Sequence, residues 1–155
     1  MHPQEALQLA HQELKRADHS IAVSLKYTRT VDVIKSIIER LISTIAFGMD
    51  SLLAHAAQKK TEEIPELPRL KIEATKKLYP EDKTIQDFVQ FYILLRKVDK
   101  AKFTRSQEYR RHVTMTAKLE DDTELEVTID IITDYYDRTK EFLQYVSTKV
   151  GETNE

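Results

Sequence analysis

The chain has 155 residues, room for one domain with a sizeable core, and its 41% hydrophobic and 32% charged content suits a globular protein. It has no cysteine, which excludes disulfides, thiolate metal sites and cysteine nucleophiles and fits a reducing cytoplasm. A net charge of −2 excludes a global attraction to nucleic acid or acidic lipid, so any such attraction must come from a local patch.

The first element expected is an amphipathic helix opened by His2-Pro3, with proline in the first turn where its missing N–H costs nothing. Leu7, Ala10, Leu14, Ala17, Ile21 and Leu25 recur at helical spacing along it. Thr28-Arg29-Thr30 is the first break, and Thr28 or Thr30 can cap the next helix. That helix carries Val31, Ile34, Ile38, Leu41, Ile45, Met49 and Leu52, a stripe widened by Val33, Ile37, Ile42 and Leu53. A stripe that wide is covered by more than one neighbour, so this is the core helix. Gly48 on its apolar side predicts close approach of another backbone. Asp32, Lys35, Glu39, Arg40 and Asp50 in the same run exclude a membrane span. No signal-peptide pattern precedes it, so a cytoplasmic location is expected.

Gln58 to Leu67 reads as a loop, Pro68 to Leu78 as a short helix ended by Pro80, and Glu81-Asp82 as the acidic start of a helix running to about Ala101. Beyond it the period changes to two. Val113, Met115, Ala117 and Leu119 alternate with polar residues, and Leu125, Val127, Ile129 and Ile131 do so again. Pairing residues whose numbers sum to 244 sets Leu119 against Leu125, Ala117 against Val127 and Lys118 against Glu126, so a β-hairpin over about 112–132 is expected. A two-residue turn would break that pattern. Thr133 or Asp134 can cap a last helix bearing Tyr135, Thr139, Phe142, Val146 and Val150, which Gly151 ends. The fold class expected is mainly α: four or five antiparallel helices with a hairpin before the C-terminal helix. Residues 1–151 form one domain and 152–155 a disordered tail. The absence of cysteine, the single asparagine and the many charges lean toward a thermophilic source.

Chemistry-bearing motifs are few. A ferritin-like metal site needs Glu-x-x-His pairs, but the residues three before the histidines are Gln8, Arg16, Leu52 and Tyr109, so no metal is expected. Two isolated glycines make no phosphate loop, and no small-molecule cofactor is expected. The basic approach to the hairpin is the best candidate. Residues 96–111 hold seven basic residues against Asp99 and Glu108, a net of +5, with Phe103 and Tyr109 interleaved. Residues 120–137 hold eight acidic residues and no basic one. Arginines with aromatics can hold phosphates and stack bases, and Lys102, Tyr109, Arg110 and Arg111 are the residues placed to do so. The plainer reading is two solvated faces that neutralise each other across the hairpin or across a dimer.

Two long antiparallel helices followed by shorter ones, with Arg105-Ser106-Gln107-Glu108-Tyr109-Arg110-Arg111-His112 near the end, resemble the HEPN superfamily of helical-bundle domains. That family's motif is an arginine, often followed by a polar residue, and a histidine after four to six intervening residues; here six intervene and Ser106 is polar. The resemblance implies a dimer and, in the catalytic members, a metal-independent ribonuclease. His112 would then be the acid–base residue for attack by a 2′-hydroxyl, and Arg105 would stabilise the phosphorane charge. The leading expectation is an interaction or regulatory module without catalysis, a homodimer or bound to a protein partner through the hairpin region. The alternatives are a ribonuclease using Arg105 and His112, or an RNA-binding module.

Overall fold

A computed structural model of the chain describes residues 2–60 and 64–151. Its first helix, α1, spans Pro3–His19, with the His2 ring accepting from the Gln4 N–H at 3.2 Å. The helix does not end there. A π-helical turn, Ser20–Ser24, leads into a last short segment, α2, Leu25–Tyr27, and Leu25 N–H bonds Ser20 O, five residues back. That extra residue re-phases the stripe, and Leu25 is buried at 1% exposure. After the Thr28–Thr30 break, α3 runs Val31–Lys60. It extends past the expected loop start at Gln58; residues 61–63 of that loop, like the tail 152–155, lie outside the described residues. The remaining helices are α4, Pro68–Leu78, α5, Lys83–Lys100, and α6, Ile129–Gly151.

The fold is mainly α, with an antiparallel sheet before the C-terminal helix. Helix α3 is the core: Ile34, Ile37, Ile38, Leu41, Ile45, Met49 and Leu52 are all fully buried. It packs chiefly against α1 on one side and α6 on another, with α4 and α5 completing the cover. Gly48 faces α6, but the close neighbour is a side chain rather than the expected backbone. A Cβ placed there would stand 2.6 Å from Cε2 of Phe142, a ring that itself packs on Phe88 at 5.0 Å between centroids. Polar ties fix the outer helices. Lys71 Nζ of α4 stands 2.8 Å from Asp50 Oδ1 of α3, as an ion pair out of hydrogen-bond alignment. Asp82 caps α5 by accepting from Ile85 N–H and holds α6 through the Tyr145 hydroxyl at 2.5 Å and Lys149 at 3.6 Å.

The sheet has three strands, not two. The basic lead-in is itself a strand, β1, Lys102–Ser106, paired antiparallel with β2, Thr114–Lys118, which pairs in turn with β3, Glu124–Val127. The sequence hides β1 because its burial is so one-sided: only Phe103 is half-buried and the other four residues are exposed. The expected register is also two residues out. Met115 faces Val127, Ala117 faces Leu125 and Lys118 faces Glu124, a sum of 242 rather than 244. The shift keeps the same faces together because it is even. It arises at the turn, where Leu119 N–H bonds Thr123 O across three residues and Asp122 adopts a left-handed φ of 61°. Aspartate tolerates that conformation in place of the missing glycine. The tighter turn ends β3 early, so Ile129 and Ile131 belong to α6. Thr128, not Thr133 or Asp134, caps that helix by accepting from Ile131 N–H at 3.2 Å.

Candidate functional site

The loop from Gln107 to Val113 joins β1 to β2 and docks on the corner between α2 and α3. Gln107 and Tyr109 take left-handed φ values of 57° and 64°, which turn the chain sharply enough for Tyr109 N–H to reach Arg29 O at 2.6 Å. Glu108 points the other way. Its Oε2 accepts from Val31 N–H at 3.1 Å and so supplies an acidic cap to α3, whose positive end favours a carboxylate. Thr30 adds the adjoining cap bond, accepting from Val33 N–H at 3.3 Å.

Arg105 is built into this corner. Its Nη2 lies 2.8 Å from Asp32 Oδ1, its Nη1 3.4 Å from Glu108 Oε1, and its guanidinium 5.3 Å from the Phe103 ring centre. The hydrogen bond to Asp32, followed by its charge and by Glu108, raises the guanidinium above its ordinary pKa. Arg105 is thus an arginine with two carboxylate partners and an aromatic one. A phosphate would compete with both acids for it. His112 stands exposed near the end of the same loop, where its carbonyl accepts from the Thr114 hydroxyl at 2.8 Å. Tyr109, 75% exposed, and Arg110 and Arg111, also exposed, share the loop with it. Lys102 lies at the opposite end of β1, directly across from Lys118.

The basic run 96–111 is therefore split among three places. Arg105 belongs to the docked corner, and Arg110 and Arg111 to the exposed loop. Arg96, Lys97 and Lys100, on the last turns of α5, border a cavity of about 290 Å³ that Lys118 of β2 closes from the sheet side. No spacing in the sequence brings Lys118 to α5; the turn at Asp122 and the pairing of β1 with β2 do so. Sequence reasoning likewise missed Asp32 and Glu108 as the partners of Arg105, since opposite charges 73 and 3 residues away are not distinguishable from ordinary surface acids.

Among the described residues no group of three or more histidines and acids is placed to hold a metal ion, and no helix is long and apolar enough to cross a membrane. Neither a family model, nor a curated protein sequence, nor a solved structure matches this chain.

Proposed function

We propose that this chain is an interaction module without catalysis, and that it associates with a second copy of itself through the edge strand β1. The observation that carries this reading is the openness of that edge. In the order β1-β2-β3, strand β1 has a neighbour on one side only, and Lys102, Thr104, Arg105 and Ser106 are exposed. An uncovered edge presents unpaired N–H and C=O groups to another strand. Two-fold antiparallel pairing centred on Thr104 would set Lys102 against Ser106 of the partner copy's strand and Arg105 against Phe103. No like charges then stand directly opposite, and each arginine gains an aromatic neighbour. Five residues make a small contact, so the dimer is weak and concentration-dependent.

Mass in solution tests this. The wild type should be a dimer at tens of micromolar, and Thr104→Glu, which puts two carboxylates opposite each other on the axis, should weaken association about fivefold (about 1 kcal/mol). A wild-type monomer at that concentration overturns the reading.

The competing reading is a ribonuclease using Arg105 and His112. The commitment of Arg105 to Asp32 and Glu108 weighs against it, because those acids would have to be displaced for the guanidinium to meet a phosphorane. Incubation with mixed RNA in the absence of divalent metal should give no cleavage above that of His112→Ala. Cleavage by the wild type alone would restore the enzymatic reading.

A further inference from the structure

The cavity between α5 and the β2–β3 turn has a composition unlike the rest of the surface. Arg96, Lys97 and Lys100 approach it from one helix and Lys118 from the sheet. Its apolar lining comes from Ile72 of α4, Ile93 of α5, Ala101 and Leu119. Elsewhere the protein pairs many of its cations with acids: Lys35 with Asp99, Arg40 with Glu13, Lys71 with Asp50, Arg105 with Asp32. Among the described residues, none of the four cavity cations is within 4.0 Å of a carboxylate.

The charge balance decides the ligand. Glu120 borders the cavity and Asp121 lies close enough to Lys97 to feel its field. The C-terminus of α5 adds about half a negative charge. Against these stand the four cations, while Lys102 and Glu124, which flank Lys118 across the two neighbouring strands, offset each other. The surplus is about +1.5, and like charges gathered around one cavity favour a bound anion. The volume, near the lower end of the usual range for small-molecule pockets, suits a ligand of mononucleotide size rather than a long chain.

We propose that this cavity binds a small phosphorylated molecule, its phosphoryl group held by Lys97, Lys100 and Lys118 with Arg96, and its apolar body resting on Ile72, Ile93 and Leu119. The site is separate from the β1 edge and from the Arg105 corner, so it stands whether or not the chain dimerises. Lys97, Lys100 and Lys118 are exposed, and Arg96 is half-exposed with its guanidinium 5.9 Å from the Tyr92 ring centre, so affinity depends on charge and on salt more than on a rigid fork.

Titration with ADP, with adenosine beside it, tests the proposal in the full chain. ADP should bind at least about tenfold more tightly than adenosine and should weaken as salt rises from about 0.05 to 0.3 M. Lys97→Gln with Lys100→Gln should lose about tenfold in ADP affinity. Lys83→Gln with Lys140→Gln, which removes the same net charge from exposed positions that do not line the cavity, should leave it unchanged. Thermal melts of both variants establish that each is folded. Equal binding of ADP and adenosine, equal loss in the two double variants, or no ADP binding at about 1 mM would each overturn the proposal.

Discussion

The α1–α3–α6 core and the Arg105 corner hold the chain together by different physics. In the core, each helix contributes a stripe of aliphatic side chains, and almost any one contact is one of many. In the corner, a seven-residue loop is held by a backbone bond from Tyr109 to Arg29, a carboxylate cap from Glu108 to Val31 and a guanidinium between two acids. The core is stable because apolar area leaves water. The corner is specific because few groups satisfy its geometry, and each is close to water that competes for it. Damage to the first should therefore be global and large, and damage to the second local and small.

The sharpest contrast comes from the middle of α3. Leu41→Ala removes a fully buried side chain and should cost about 2–5 kcal/mol in chemical denaturation. Gly48→Ala is the subtler core test. It gains up to about 1 kcal/mol in helix propensity but drives a methyl into the Phe142 ring, an overpacking that costs about 1–3 kcal/mol. A net loss near 1 kcal/mol is expected. Phe142→Leu should then be less harmful in the Gly48→Ala background than alone, and strictly additive losses would break the steric account.

In the corner, Glu108→Ala should lower global stability by about 1 kcal/mol, the usual worth of a helix cap. Its signature is local: amide exchange at Val31 and Tyr109 should accelerate while Leu41 and Ile45 stay protected in proportion to the global change. Uniform acceleration would mean that the corner and core open together. The smallest effect belongs to pH. Burial alone would raise the Asp82 pKa, but the Tyr145 hydroxyl, Ile85 N–H and Lys149 outweigh it and hold the carboxyl below its ordinary value of 3.8. Such a group stabilises fully above the unfolded pKa and loses that contribution as pH falls through the folded one. Tyr145→Phe should thus melt earlier than wild type at neutral pH, and the two melting curves should converge below about pH 4.

The helices were legible because their stripes are periodic and long, as Val31 to Leu53 shows, and because Pro68 and Asp82 mark starts with known chemistry. Strand faces were legible for the same reason, since Met115 and Ala117 alternate cleanly. Strand existence and exact pairing were not. Strand β1 escapes detection because it buries almost nothing, and the register depends on whether Asp122 will take a left-handed φ, a preference of about 1 kcal/mol that composition does not announce. Thr128 was passed over as a cap because Ile129 and Ile131 continue the strand's alternation into a helix that uses the same residues. The candidate residues were named from their charge, but their partners were not. Arg105 reads as a free cation in the sequence and is a bridged one in the fold, because Asp32 and Glu108 meet it only once the 107–113 loop, with its positive φ at Gln107 and Tyr109, docks on the start of α3.

The cap that Glu108 gives to Val31 joins residues 77 positions apart. During synthesis α1 and α3 can leave the ribosome and pair while the loop that completes the first turn of α3 is still being made. The start of the longest helix is therefore finished last. A nascent chain arrested before Glu108 should hold a formed helical pair whose first turn still frays, and release of the next segment should seal it.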